Sequence, residues 1–270
     1  MRTVGRELWH ELTDLASDLA VEAGDLAQTL AASARSDPWT KSSSSDLVTT
    51  ADTAVEELIT SRIAAVRPDD TVIGEEGTAT QGSTSIVWHV DPIDGTTNYV
   101  YGIRSYAVSI AAEIDGDVVA AVVNNPSSSE LYTATRSAGA RCNGEPLACR
   151  DEGNLAKALV ATGFGYRAER RLRQGAVLAA LLGEIRDIRR FGSAALDLCA
   201  VASGQVDAYY EGGLNRWDMA AGALIAAEAG ATVANLAGGP PDQGFLLTAG
   251  PRLFPSLQRA LMNLGATPEE

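Results

Sequence analysis

Histidine and cysteine are scarce in this chain of 270 residues, which holds two of the first and three of the second. The cysteines, Cys142, Cys149 and Cys199, show no C-x-x-C spacing. That disfavours a thiolate-rich zinc site and leaves reduced thiols packed within the fold. Long apolar runs are missing as well. No stretch reaches the roughly 18 residues that a membrane-spanning helix needs, so no membrane partner is expected. The opening residues interleave Glu7, Glu11 and Asp14 with apolar positions, unlike the basic start and unbroken apolar core of a signal peptide. A cytoplasmic location is expected. Repeats, low-complexity tracts and an obvious linker are also lacking, which predicts one domain over residues 1–270, made of two closely packed halves that meet at about residue 150.

Positive charge is in deficit: 21 Lys and Arg stand against 35 Asp and Glu, a formal net charge of -14. Such a balance opposes direct contact with nucleic acid or anionic lipid, both polyanions. It does not oppose a small phosphate ester whose site also holds cations. With 46% hydrophobic and 21% charged residues, the rest of the composition is that of an ordinary globular protein, long enough to bury a sizeable core.

Periodicity divides the chain. Leu8, Leu12, Leu15, Leu19, Leu26 and Leu30 recur at helical spacing with acids on the opposite face, predicting a helix over 7–34. A polar loop follows from Ser36 to Ser45, then a helix from Thr50 to Val66 that stops before Pro68. Strands are expected at Thr71–Gly74, Ile86–Val90, Val108–Ile114, Val118–Val123 and Leu131–Thr135, with Asp115-Gly116 as a hairpin turn. Beyond Arg150 the pattern alternates: strands at Ala158–Thr162, Ile188–Phe191 and Ala208–Tyr210, and helices at Arg171–Gly183, Ala194–Ser203, Met219–Ala229 and Leu253–Leu264. Hairpins followed by alternation imply sheets layered with helices.

The most informative string is Trp88-His89-Val90-Asp91-Pro92-Ile93-Asp94-Gly95-Thr96-Thr97-Asn98. An apolar strand delivers two carboxylates, three positions apart, into what reads as a turn. Pro92 stiffens the gap between them, and Gly95 permits a positive φ or a close approach. A helix start at Thr96 would expose N–H groups suited to phosphate. Hard divalent cations such as Mg²⁺ take oxygen ligands and keep several waters, so few carboxylates suffice. Asp-Pro and Asp-Gly alone are common turn pairs; the whole string is harder to explain that way. Glu75 and Glu76 follow the strand ending at Gly74. Asp218 opens the predicted Met219–Ala229 helix, where an Asp would ordinarily be an N-cap.

Lys41-x4-Asp46-Leu47-Val48-Thr49-x2-Asp52, Gly74-Glu75-Glu76, Asp91 through Asn98 and Trp217-Asp218-x-Ala220-Ala221-Gly222 occur in the order and spacing of the inositol monophosphatase family, which the chain resembles over nearly its whole length. Gly163-Phe164-Gly165-Tyr166, Arg190 through Leu198 and Asp207 through Glu211 resemble its bacterial branch. The resemblance implies an α/β fold, a layered α-β-α-β-α sandwich shared with fructose-1,6-bisphosphatase, assembled as a homodimer. It implies Mg²⁺-dependent hydrolysis of inositol monophosphate with two to three ions, held by Glu75, Asp91, the Ile93 carbonyl, Asp94 and Asp218. Thr96 and Glu75 would position the attacking water, with Asp52 orienting Thr96. Gly95 and Thr96 would hold the phosphate through backbone N–H groups, while Asp94, Ala194, Glu211 and Asp218 meet the substrate hydroxyls. Lys41 is expected to be exposed or to act from outside the ligand set. His10 and His89 are expected to be structural, since no enzyme-bound phosphate is needed. The residues before Trp217 are Asn215-Arg216, where the animal enzymes carry His-Cys, so strict inositol specificity is not implied. Fructose 1,6-bisphosphate, histidinol phosphate and adenosine 3',5'-bisphosphate are the alternative substrates. Relatives in the bacterial branch also serve as partners of the transcription machinery.

Overall fold

The computed structural model describes residues 2–34, 39–40 and 47–269. Lys41, Asp46 and most of the loop expected over Ser36–Ser45 lie outside the described residues. Helix α1 (Arg2–Ala34) buries the stripe Leu12, Ala16, Leu19, Ala20, Ala23 and Ala27, the 3.6-residue spacing read from the leucines carried on by small residues. Strands β1 (Trp39–Thr40) and β2 (Leu47–Val48) form a short antiparallel ribbon. Helix α2 (Thr50–Val66) starts at N-cap Thr49, whose side-chain oxygen accepts from the Ala51 amide. The Asp52 carboxylate returns to the Thr49 amide at 2.8 Å, completing a reciprocal capping box.

Next come β3 (Thr71–Gly74), β4 (Ala79–Thr80), β5 (Ile86–Asp94), helix α3 (Thr96–Tyr101), β6 (Ala107–Ile114), β7 (Asp117–Asn125), β8 (Glu130–Thr135), β9 (Ala140–Cys142) and β10 (Glu145–Pro146). They build an eight-stranded sheet in the order β10-β9-β8-β7-β6-β5-β3-β4. All its pairings are antiparallel except β3 with β5. The β6–β7 hairpin turns on Asp115 and Gly116, both at positive φ (52° and 89°), which fits the strand twist. Alternation then sorts the side chains to two faces. Val108, Ile110 and Ala112 of β6 pack toward α1 and α2, while Ala107 and Ala111 face the other way.

The second half holds β11 (Leu159–Thr162), α4 (Ala168–Leu181), β12 (Asp187–Arg189), α5 (Ala194–Ala202), β13 (Ala208–Glu211), α6 (Arg216–Glu228), β14 (Thr232–Ala234), β15 (Leu246–Ala249) and α7 (Phe254–Asn263). Its five strands run β12-β11-β13-β15-β14, parallel among β12, β11 and β13 and antiparallel beyond. Helices α5 and α6 lie between the two sheets, and α7 covers the outer face of the smaller one. The layers are thus helix, sheet, helix, sheet, helix, as the resemblance implies.

The central layer is thin because its residues are small: Ala195, Ala202, Ala220, Ala221 and Ala229 meet Ala107, Ala111, Ala121 and Ala134. Gly222 is required there. A Cβ on it would stand 2.7 Å from the Leu198 side chain, so the two helices could not approach. Full burial of Ile59 and Ile63 against Trp88 and Ile110 contributes about 1.5–3 kcal/mol per side chain in the outer layer. The strands unmarked by the sequence patterns are β1, which falls within the expected loop, β2, β4, β9, β10, β14 and β15.

Candidate active site

Asp91 and Asp94 do not sit in a turn after the strand. Strand β5 continues through both, with a register shift against β6 between them. Asp91 pairs opposite Ser109 and Asp94 opposite Ala107, so the irregularity, rather than a loop, spaces the two carboxylates. Gly95 then turns the chain at φ 88° and begins α3. A Cβ there would stand 3.0 Å from the Gly192 carbonyl and 3.1 Å from the Ser105 carbonyl, so two other loops close on this glycine. Asn98 fixes the same junction by donating at 2.7 Å to both Ser105 O and Phe191 O.

Two elements converge on the end of β5. Glu75 follows β3, which runs parallel to β5, and its amide donates to Val90 O. Asp218 belongs to the first turn of α6, but it is not the N-cap. Asn215 is, and the Asp218 carboxylate accepts its amide at 2.6 Å from the third helical position. Carboxylate oxygens of Glu75, Asp91 and Asp218 all lie within 4.8 Å of one another. Burial, reinforced by Glu75 and Asp94, holds the Asp91 carboxyl well above the usual carboxylate range. Burial and the same two neighbours do so for Asp218. Clustered like charges out of water oppose ionisation unless a cation joins them. The donor set is all oxygen, hard and partly engaged, which suits Mg²⁺.

Asp94 faces a different partner. One oxygen accepts from Ser193 Oγ and from the Ala195 amide at 2.7 Å, and the other from the Ala194 amide at 3.3 Å. It therefore caps the start of α5, where a carboxylate is favoured. Its carboxyl is nonetheless raised to about 6, chiefly by burial. Ala194, expected as a substrate contact, lies at this same helix start.

Thr96 Oγ1 lies 3.2 Å from Asp52 Oδ1 and 3.1 Å from the Ile93 carbonyl, within donating reach of both. Asp52 is buried and raised to about 6, burial outweighing its bonds from Thr49. The Thr96–Asp52 contact that the resemblance implies is present.

At the other end of the cleft stands Glu211, closing β13. Tyr209 Oη donates to it at 2.6 Å, and burial lifts its carboxyl to about 7. Gly163 makes room: a Cβ there would overlap the Glu211 carboxylate. The cleft encloses about 480 Å³ between these two ends, with Arg167, Arg170 and Arg190 on its walls. His89, expected to be structural, is not among the residues that line the cleft. Its Nε2 lies 3.2 Å from Glu113, which also accepts two bonds from Arg216 at the start of α6.

Two buried carboxylates at the site escaped the sequence reading. Asp197, 1% exposed and lining the cleft, is raised by burial with Glu211 and Asp94 near. Glu56, 2% exposed, accepts backbone bonds from the turn that carries Glu75. The signal for Glu56 was present, since it shares a helical face with Asp52 four residues earlier.

No described helix is long and apolar enough to cross a membrane. The family model of inositol monophosphatases matches residues 8–265. Inositol-1-monophosphatase SuhB of Mycobacterium tuberculosis is 49% identical over 203 residues, spanning 72% of this chain and 70% of the relative. A Vibrio cholerae relative named Nus factor SuhB is 39% identical over 247 residues, spanning 90% and 92%. The crystal structure of the Bartonella henselae extragenic suppressor protein SuhB superposes with a TM-score of 0.88 at 33% identity, covering 93% of this chain and 98% of that one. With the carboxylate cluster, the Thr96–Asp52 contact and the layered fold in agreement, the chain belongs to the inositol monophosphatase family.

Proposed function

We propose that the protein hydrolyses inositol monophosphate to inositol and phosphate with Mg²⁺ at the Glu75–Asp91–Asp218 cluster. The observation that carries this reading is the convergence of those three carboxylates within 4.8 Å, beside a Thr96 hydroxyl linked to Asp52. Glu75, Asp91, the Ile93 carbonyl, Asp94 and Asp218 would hold two to three ions. Bound there, Mg²⁺ supplies Lewis acidity to the water and positive charge to the departing oxygen. Thr96 Oγ1 accepts a hydrogen bond from the attacking water while donating to Asp52, which fixes the direction of attack. The amides of Gly95 and Thr96 hold the phosphate. Glu211, with Asp94, Asp218 and the Ala194 backbone, receives the hydroxyls of the leaving polyol.

Phosphate monoesters hydrolyse extremely slowly unaided, and the spread negative charge of their transition state is what an acidic, cation-filled site can stabilise. The M. tuberculosis relative, named an inositol-1-monophosphatase, supports the substrate. The reading extends to a single-domain cytoplasmic homodimer. Measuring kcat/KM across inositol 1-phosphate, fructose 1,6-bisphosphate, histidinol phosphate and adenosine 3',5'-bisphosphate tests it, with inositol 1-phosphate expected to lead. A second reading rests on the V. cholerae relative named a Nus factor: a role beside the transcription machinery through protein contact, independent of hydrolysis. A variant that loses hydrolysis yet still captures the transcription machinery separates the two.

A further inference from the structure

The turn between β3 and β4 carries Glu75 and is closed by the Gly74 amide donating to the Thr78 carbonyl at 2.8 Å. Its interior is filled from outside by a carboxylate. Glu56 Oε2 accepts from the Glu76 amide at 2.8 Å, and Oε1 accepts from the Thr78 amide at 3.0 Å. Each oxygen thus holds one N–H on either side of the turn, in the manner of an anion seated among backbone amides. The fit extends to the glycine. A Cβ on Gly74 would stand 2.3 Å from Glu56 Oε2 and 2.4 Å from its Cδ, so any other residue there would expel the carboxylate. Glycine is thus needed before Glu75 for the sake of a side chain 18 positions earlier.

Glu56 and Asp52 lie four residues apart on the buried face of α2. That face therefore reaches the site twice, through Asp52 to Thr96 and through Glu56 to the turn of Glu75. Ile59 and Ile63, fully buried, seat the same face in the core, so the rod is rigid where it matters.

We infer that Glu56 is a positioning residue for the metal site: its carboxylate locks the Gly74–Thr78 turn so that the Glu75 oxygen is held facing Asp91 and Asp218 before any cation arrives. The inference rests on the metal-site reading above. Preorganisation of this kind acts on affinity, because a loose turn must be ordered at the moment of binding. It leaves the ligand chemistry untouched.

The test uses the full chain freed of divalent ions, titrated with Mg²⁺ alone by calorimetry, with amide hydrogen exchange at Glu76 and Thr78 as a second readout. In Glu56→Gln an amide NH₂ replaces one accepting oxygen and faces an N–H donor. Mg²⁺ affinity should fall about tenfold, in the range seen when partners behind a metal ligand are removed, and both amides should exchange faster without metal. Gly74→Ala, which keeps Glu56 charged but pushes it out, should give the same two changes, and the double variant should add little. Activity at saturating Mg²⁺ should stay within about threefold of the parent for Gly74→Ala, with the half-saturating Mg²⁺ raised. If either folded variant binds Mg²⁺ as the parent does, Glu56 serves only the fold and the inference is overturned. Should Glu56→Gln not fold, Gly74→Ala decides alone by the same measure. A parent chain that binds no Mg²⁺ would instead sink the metal-site reading itself.

Discussion

The two ends of the cleft are built differently. At the end of the proposed metal site, every carboxylate named for it sits on a regular element or one residue beyond it: Asp91 and Asp94 in β5, Asp52 in α2, Asp218 in α6, Glu75 after β3. Each of the four on elements is also held by a backbone amide, from Ile93, Ala195, Thr49 and Asn215 respectively. At the far end, Glu211 closes a strand and takes a side-chain bond from Tyr209. The wall beside it is Gly163 to Arg167, before α4, a stretch without regular structure. On the proposed reading, chemistry that must be reproduced to a fraction of an ångström is placed on rigid elements, while recognition of the leaving group is left to a strand end and a loop, where residues change at low cost to the fold.

Removing a charge at the metal end should have the largest effect. Glu75→Gln and Asp91→Asn are expected to lower kcat/KM for inositol 1-phosphate by more than about a hundredfold, the loss that groups merely behind a metal ligand can already reach. Both should fold, and with divalent ions removed they should melt at or slightly above the parent, since one member of a repelling cluster is gone. Loss of activity through unfolding would leave the metal assignment without support.

Asp52→Asn should come next, with kcat down by about ten- to a hundredfold and the Mg²⁺ requirement little changed. Asn can present an NH₂ toward Thr96 and reverse that bond. An equal rise in the Mg²⁺ requirement would place Asp52 with the ligands instead.

The acid–base linkage gives a third contrast. Asp52 and Asp94 are raised from 3.8 to about 6 by burial. A carboxyl raised on folding stabilises the folded chain below its unfolded pKa, and that contribution is lost as pH rises through about 6. Without divalent ions the Tm should therefore fall by several degrees between pH 4 and pH 7. Added Mg²⁺ should reverse most of the fall, since binding to the native state adds stability by mass action. A Tm that rises steadily over this interval in EDTA would contradict the buried cluster.

The smallest effect belongs to the far end. Glu211→Gln keeps the size but weakens a charge-assisted bond, so kcat/KM for inositol 1-phosphate should fall about tenfold, or roughly 1.4 kcal/mol. Hydrolysis of p-nitrophenyl phosphate, which offers no ring hydroxyl, should hardly change. Equal losses on both would merge the two ends into one site.

The same division explains what was legible in the sequence. The residues of the metal end lie in short, dense strings, and helix α2 and strand β3 match their expected bounds because capping and periodicity mark them. Strand β5 is longer than its apolar stretch, since Pro92 and two acids inside a strand mimic a turn; only the register shift against β6 accommodates them. Strand β15 (Leu246–Ala249) is buried along its whole length and so lacks alternation. Asp197 is hidden for a related reason, and Glu56 is marked only by its spacing from Asp52. A buried acid on a helix looks like a solvated one until the backbone that meets it is known.

The most direct test of the account is a Mg²⁺ titration of the parent chain and of Asp91→Asn after exhaustive EDTA treatment, with binding heat and hydrolysis of inositol 1-phosphate followed together. The parent should bind Mg²⁺ and recover activity along the same curve, while Asp91→Asn, still folded, should recover little of either. Full hydrolysis by the parent in EDTA, or normal recovery by Asp91→Asn, would contradict a reaction centred on the Glu75–Asp91–Asp218 cluster.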